Sequence, residues 1–202
     1  MAKSKKKMLN NPKIVSTKKL KTKKVKSKNN VNKKTLKTSH ISAVIYAWAI
    51  IPILLFASFI GTSVIMKIID SILLAAIAVI TILILKSYLK LSIKNPFTNN
   101  MSWVIILMTI IVGVINILRL YTPLDQTLNY VITFVTAAIY ILFGISLFKM
   151  KKLSILFSVA AIFYVLIGAF NASLVLAIIV PGLYVAKGVA EAFLFVELMK
   201  KA

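Results

Sequence analysis

The sequence predicts an all-α polytopic membrane protein, with six transmembrane helices in three hairpins preceded by a disordered, lysine-rich N-terminal tail. Hydrophobic residues make up 60% of the 202 residues, against about 45–50% in soluble domains, and the mean hydropathy is +0.94. Charged residues make up only 15%, and they are segregated, because residues 1–40 hold 15 lysines and no acidic residue. This composition excludes a soluble fold and divides the chain into a basic tail, 1–40, and a transmembrane domain, 41–202.

The basic tail is predicted to be disordered. Its lysine clusters are interrupted by single aliphatic residues with no helical period, so it has too little apolar surface to offset the entropy cost of ordering. We do not interpret it as a cleavable signal peptide, because the apolar run begins only at Ile41, after a basic region too long for one. The run from Ile41 onward is therefore predicted to be an uncleaved first span.

Six apolar segments are long enough to cross a membrane, which takes about 20 residues of helix. They are predicted over residues 41–66, 68–89, 101–120, 127–148, 153–170 and 174–199. The last two would measure about 69 Å as one helix, twice the thickness of a bilayer core, so we predict a break at residues 171–173. A five-span alternative treats residues 182–202 as a helix lying in the membrane interface.

The placement of charge favours six spans. In an alternating six-span chain, 23 of the 26 basic residues lie on the same side of the membrane as the tail. Because cytoplasmic loops carry the excess of lysine and arginine, we expect a multi-pass protein of the cell membrane with both termini in the cytoplasm. Five spans would put Lys200 and Lys201 on the outer side, against this trend.

Small residues recur at four-residue spacing in the first and last segments. Such spacing lets two helices approach closely, and we interpret it as a packing face. The pairs are Ala43 with Ala47, Ala57 with Gly61, Ala186 with Ala190, and Gly188 with Ala192.

Lys187 and Glu191 form the candidate intramembrane polar site. Their four-residue spacing puts them on one face of the sixth helix, and Tyr184 lies on the same face. A central charge costs at least about 2.5 kcal/mol on insertion scales, so such residues usually face the bundle interior or a cavity. Pro181 and Gly182 predict a kink just before them. The alternatives are that the two charges neutralise each other and only orient the helix, or that Lys187 snorkels to the outer interface.

Asn116 and Arg119 form a weaker candidate at the outer end of the third segment, three residues apart on one face. Arg119 could bind an anionic ligand or a lipid headgroup. The reading that we favour is that Arg119 anchors the helix end and pairs with Asp125 across the turn. Lys67 and Asp70, at the outer turn of the first hairpin, are interpreted in the same way.

We predict that the protein is not an enzyme and has no catalytic, cofactor-binding or metal-binding residues. It has no cysteine, which excludes disulfides, thiolate catalysis and cysteine-ligated metals. Its single histidine, His40, precedes the first span, and Asp70 and Asp125 lie at the outer edges of spans. The spans therefore lack the Ser–His pair or paired aspartates that proteolysis within the membrane requires.

We expect the function of a non-enzymatic membrane scaffold or accessory subunit. Its expected partners are the lipid bilayer, anionic lipid headgroups or an acidic protein bound by residues 1–40, and other membrane proteins bound by the bundle. The tail has no arginine and no aromatic residue, so we do not expect specific nucleic-acid binding. The alternative is a small-solute transporter, or the substrate-binding subunit of one, that uses Lys187 and Glu191.

Overall fold

The computed structural model describes residues 33–57, 64–122, 124–173 and 176–202 of the chain. These residues form six α-helices and one short 3-10 helix, and no strand is found among them, which confirms the all-helical fold class. The helices are α1 (Lys33–Ala57), α2 (Val64–Leu91), α3 (Pro96–Tyr121), α4 (Gln126–Phe148), α5 (Leu156–Ala172), the 3-10 helix (Leu176–Ile179) and α6 (Val180–Lys201).

The six helices form a closed ring. Each α-helix packs against its neighbours in chain order, and α6 packs back against α1. Within the described ranges no other pair of α-helices brings its backbones close together, although interior side chains do contact one another across the ring. A bundle whose successive helices run up and down with short connections places alternate helix ends together. The ring therefore has two distinct ends and an interior that no helix occupies.

Three of the described helices, α2, α3 and α4, are long and apolar enough to cross a membrane. Helix α5 is apolar but has only 17 residues. The outer faces of the longer helices expose large apolar side chains such as Ile72, Leu107 and Val131. An apolar outer surface of this kind suits a protein surrounded by lipid rather than water, and the fold is compatible with a membrane protein.

One end of the ring carries most of the lysines that the structure describes, and we call it the lysine end; it is formed by residues 33–37, 90–97, 149–154 and 200–201. Contacts across the connections hold this end together. Lys90 Nζ donates to Thr35 Oγ1 at 3.2 Å, and Lys201 Nζ donates to the Leu153 carbonyl at 3.1 Å. Helices α1, α3 and α5 begin at the lysine end, and α2, α4 and α6 finish there.

The first helix begins earlier than predicted. Residues 33–40 belong to α1 rather than to a disordered tail, so this part of the prediction is wrong. Ser39 is buried, and its hydroxyl shares a short hydrogen bond with the Ser87 hydroxyl of α2. His40 Nδ1 lies 3.0 Å from the Ala192 carbonyl oxygen of α6. Such contacts between helices stabilise a stretch whose own composition favours coil. Residues 1–32 of the predicted tail lie outside the described residues.

The start of α3 follows its capping residue. The Asn95 side chain accepts from the Thr98 N–H at 3.4 Å, and Pro96 opens α3 in the position that proline favours.

The predicted break at 171–173 is confirmed, because α5 ends at Ala172. Just before Pro181, where a kink was predicted, the 3-10 helix ends and α6 begins. Pro181 lies in the first turn of α6, where its missing N–H leaves no helical hydrogen bond unmade.

Close helix contacts depend on small residues. A Cβ added to Gly188 would lie 3.0 Å from the Cβ of Ala47, and Ala43 and Ala192 are buried. The predicted packing faces of α1 and α6 are thereby confirmed for these residues, whereas the side chains of Ala57 and Gly61 lie outside those described. Helices α4 and α5 approach at least as closely, because a Cβ on Gly168 would lie 2.6 Å from the Ala137 carbonyl oxygen.

Candidate functional site

Lys187 and Glu191 both lie in the interior of the ring, 1% and 0% exposed. The prediction that Lys187 snorkels to the interface is therefore wrong, although α6 does begin later than predicted. The two charged groups are not in direct contact, because no nitrogen–oxygen pair between them comes within 4.0 Å. Because they do not form an ion pair, Lys187 and Glu191 must each be stabilised by direct contacts with other groups.

The Glu191 carboxylate is held by two tyrosines from other helices. The Tyr164 hydroxyl of α5 donates to Glu191 Oε1 at 2.8 Å, and the Tyr88 hydroxyl of α2 donates to the same oxygen at 3.1 Å. Glu191 Oε2 is buried and has no hydrogen-bond partner within the described part of the chain. The site therefore satisfies one oxygen of the carboxylate twice and leaves the other unsatisfied.

The Lys187 ammonium is surrounded by aromatic rings. Its Nζ lies 4.5 Å from the ring centroid of Tyr46, 4.8 Å from that of Tyr164 and 5.6 Å from that of Tyr184. A cation within about 6 Å of an aromatic face is attracted by the ring quadrupole, by about 2 kcal/mol or more where water is excluded. The rings thus replace part of the hydration that the ammonium loses on burial.

The rings around Lys187 and Glu191 form one connected group, which we call the tyrosine cluster. Five helices contribute to it, and neighbouring rings make edge-on or tilted contacts at centroid distances of 5.7 to 6.5 Å. Such arrangements are favourable between aromatic side chains. The members are Tyr46 of α1, Tyr88 of α2, Tyr140 of α4, Tyr164 of α5 and Tyr184 of α6.

A cavity of about 290 Å³ lies inside the ring. Helices α1, α2, α3, α4 and α6 line it, and Tyr46, Tyr140 and Tyr184 of the tyrosine cluster form part of its wall. Most of the wall is apolar, with a few hydroxyl and amide groups. These polar groups belong to Thr81, Thr109, Thr136 and Asn116. Tyr46 and Tyr184 therefore border both the cavity and the Lys187 ammonium.

The side of the cluster toward the lysine end is filled by aromatic side chains. The Tyr88 ring lies 5.7 Å from that of Phe143, 6.1 Å from that of Phe157 and 5.8 Å from that of Phe195, centroid to centroid. All four side chains are buried. The tyrosine cluster thus has packed aromatics on one side and a cavity on the other.

Asn116 and Arg119, the weaker predicted candidate, lie together in the structure. Arg119 Nη1 donates to Asn116 Oδ1 at 3.2 Å, and Asn116 lines the cavity. The predicted pairing of Arg119 with Asp125 is wrong, because no salt bridge within 4.0 Å joins them. The predicted pairing of Lys67 with Asp70 is wrong for the same reason.

Asp125 instead caps α4. Its Oδ2 accepts from the Thr127 N–H at 2.9 Å and from the Leu128 N–H at 3.3 Å. These hydrogen bonds hold the pKa of the Asp125 carboxyl below its usual value, and the bond from the Leu128 N–H has the largest effect. The acidic group that we expected to balance Arg119 is therefore used to start a helix.

Sequence reasoning found the α6 members of the site and missed the others. Tyr46, Tyr88, Tyr140 and Tyr164 come from four other helices and together surround Lys187 and Glu191. A signal was present, because each of these tyrosines lies inside an apolar segment, where a hydroxyl requires a partner.

The described residues contain no group of three or more His, Cys, Asp or Glu side chains that could hold a metal ion. Comparison of the chain with protein-family models, with curated proteins and with solved structures gives no match.

Proposed function

We propose that the protein spans the membrane six times, with the lysine end and both termini in the cytoplasm. The alternation of helix ends supports this topology, since the lysines that follow α2, α4 and α6 lie at the end where α1 begins. The rule that cytoplasmic loops are rich in lysine and arginine then orients the ring. Under this topology the polar turn before α4 faces the outside.

We infer that the helix ring binds a small, largely apolar molecule in its cavity, as a solute transporter or the substrate-binding subunit of one does. The observation that carries this proposal is the cavity of about 290 Å³ lined by five helices. Pockets between the helices of a bundle are common sites for ligands. A bundle serving only as a scaffold has no need for such a space, because an unfilled interior forfeits packing energy.

The volume and lining of the cavity define the ligand class. A cavity of about 150 Å³ holds one benzene molecule, so this one admits a ligand about twice that size. The wall is mostly apolar, with aromatic faces from Tyr46, Tyr140 and Tyr184 and side-chain hydroxyls from Thr81 and Thr109. We propose a compact, ring-containing molecule with one or two polar groups.

A cavity-filling substitution tests this proposal. In Val112→Phe, the larger side chain occupies the cavity, because Val112 lines it. The matched control is Val114→Phe, on the same helix but exposed on its outer face. The probe is 2-naphthol, which has two fused rings and one hydroxyl, and the readout is saturation-transfer NMR on full-length protein in nanodiscs.

We expect saturable 2-naphthol binding for the wild type and for Val114→Phe, and only the non-saturable signal of empty nanodiscs for Val112→Phe. Partitioning into lipid is the same for all three proteins and cancels in the comparison. Equal binding by Val112→Phe and Val114→Phe, or no saturable binding by the wild type, would contradict the proposal.

A second candidate function is that of an accessory subunit whose basic tail contacts anionic lipid. The observation that favours it is the position of Lys33, which opens α1 at the lysine end, two residues before Thr35, the hydrogen-bond acceptor of Lys90. A tail attached there continues a basic surface, and each lysine near an anionic leaflet contributes about 1 kcal/mol.

Native mass spectrometry tests this second function. Full-length protein is released from nanodiscs containing equal phosphatidylglycerol and phosphatidylcholine. Retention of phosphatidylglycerol should exceed that of phosphatidylcholine, because the tail lysines attract the anionic headgroup. Retention of phosphatidylglycerol should fall when residues 2–32 are deleted, because most of these lysines are then removed. Equal retention of the two lipids by the intact chain would contradict the second function.

A further inference from the structure

We propose that Glu191 is a proton-binding site inside the helix ring. Proton binding forms an O–H bond on Glu191 Oε2 and converts a hydronium ion into water, so the step needs no other reactant. The inference does not depend on a ligand in the cavity, because it concerns the carboxyl group itself.

The hydrogen bonding of Glu191 is the first ground for this site. Oε1 already accepts from Tyr88 and Tyr164, whereas Oε2 is fully buried and has no partner in the described structure. A buried carboxylate oxygen without a donor is costly. An added proton on Oε2 removes that charge without breaking either tyrosine hydrogen bond.

The position of Lys187 is the second ground. A direct ion pair would fix Glu191 in its ionised form, because protonating one member of a buried pair leaves the other charge buried without a partner. Lys187 Nζ instead lies over the rings of Tyr46 and Tyr164, more than 4.0 Å from the carboxylate oxygens. The ammonium therefore favours the anion through space without holding it, and the protonated and ionised forms are both accessible.

Titratable groups from every helix around Glu191 shape this balance. Tyr88 of α2 and Tyr164 of α5 donate to the carboxylate, and Tyr46 of α1 contacts Lys187. His40 of α1 contacts the carbonyl of Ala192, the residue after Glu191.

On the cavity side, Tyr184 of α6 and Tyr140 of α4 complete the surroundings of Glu191. Lys187 is the one cation that approaches the tyrosine rings around Glu191 within the described residues.

The rings give the proton site a physical link to the cavity. Tyr140 lines the cavity, its ring lies 5.7 Å from that of Tyr164, and the Tyr164 hydroxyl donates to Glu191. A change in how Tyr140 packs is therefore transmitted to the group that stabilises the anion. This link rests on the proposed ligand-binding function, whereas the proton site does not.

Infrared spectroscopy tests the proton site directly. The full-length protein, in nanodiscs without added ligand, is titrated from about pH 9 to about pH 4, a range that covers carboxyl titration, while the carbonyl band of protonated carboxylic acid is recorded. The chain has only four acidic side chains, so the band can be assigned by substitution. We expect a carbonyl band from a carboxylic acid that is shielded from water, and its intensity should change with pH. This band should be absent from Glu191→Gln. The matched control is Glu197→Gln, on the same helix at the lysine end, which should keep the band.

Two further variants keep the test decisive if Glu191→Gln does not fold. Lys187→Met removes the nearby cation and Tyr164→Phe removes a donor to Oε1, and both should raise the pH at which the band disappears. For Lys187→Met we expect a rise of at least about one pH unit, the effect of a neighbouring opposite charge. The proposal would be overturned if the band of the wild type did not change with pH. It would also be overturned if Glu191→Gln kept the wild-type transition, or if Lys187→Met and Tyr164→Phe both left the pH of that transition unchanged. Loss of 2-naphthol binding with an intact Glu191 titration would contradict only the ligand function.

Discussion

Replacing Gly168 with alanine should destabilise the bundle through the contact between α4 and α5. A Cβ at this position would lie 2.6 Å from the Ala137 carbonyl oxygen and 2.7 Å from Ile141 Cγ1. Non-bonded heavy atoms are most stable at about 3.5 Å or more. The first of these neighbours is backbone, which cannot rotate away, so α5 must move outward by several tenths of an ångström.

The expected size of the effect is the difference between two terms. Overpacking of a tight interface costs about 1–3 kcal/mol. Alanine recovers about 0.5–1 kcal/mol relative to glycine inside a helix. We therefore expect Gly168→Ala to lower the free energy of unfolding by up to about 2.5 kcal/mol. Gly182 is the matched control, because a Cβ there would meet nothing within 4 Å and alanine keeps only its helix-forming advantage.

Unfolding of the full-length protein in mixed micelles, driven by rising SDS mole fraction and followed by circular dichroism, measures this difference. Gly168→Ala should unfold at a lower SDS fraction than the wild type, and Gly182→Ala at the same fraction or a higher one. Equal stability of the two alanine variants would refute the close approach of α4 and α5 and the reasoning based on it.

Two other predictions concern topology and pH. In cells, a cysteine at Thr122 should react with an impermeant thiol reagent added outside, and one at Lys151 should be protected; labelling of a cysteine at Ala202 from outside would instead favour five spans. Because backbone hydrogen bonds lower the pKa of Asp125, its capping of α4 should persist at neutral pH and be lost as the pH falls through that lowered value. Thermal unfolding of the wild type should show this acid loss and Asp125→Ala should not; identical pH profiles would contradict the cap.

Hydropathy and turn residues could predict several of the helix ends, because both are local properties of the chain. The fourth segment was predicted over residues 127–148, and α4 runs from Gln126 to Phe148. The start of α1 could not be predicted in this way. Residues 33–40 are polar, and Ser39 is buried by its contact with Ser87, which lies 48 residues away in the chain.

In the candidate site, too, local sequence predicts some features, whereas others depend on contacts between distant residues. The spacing of Lys187 and Glu191 on one helix predicts that they share a face, and both are buried as that face implies. The donors to Glu191 come from α2 and α5, and which helices meet in a ring depends on packing rather than on hydropathy. Gly168 illustrates the limit, because its four-residue spacing with Ala172 indicates a packing face but does not show that the helix packed against Gly168 is α4.

The closure of the ring by α1 and α6 is the central claim, since the cavity and the tyrosine cluster both depend on it. Cysteines at Ala47 and Gly188, whose Cβ atoms would lie 3.0 Å apart, should form a disulfide within one chain after a small backbone adjustment. No native cysteine interferes, and the exposed Trp48 paired with Gly188 is the matched negative control. We predict oxidation to an intramolecular bond for the first pair and none for the second. Failure of the Ala47–Gly188 pair to cross-link in folded, full-length protein would contradict the closed ring.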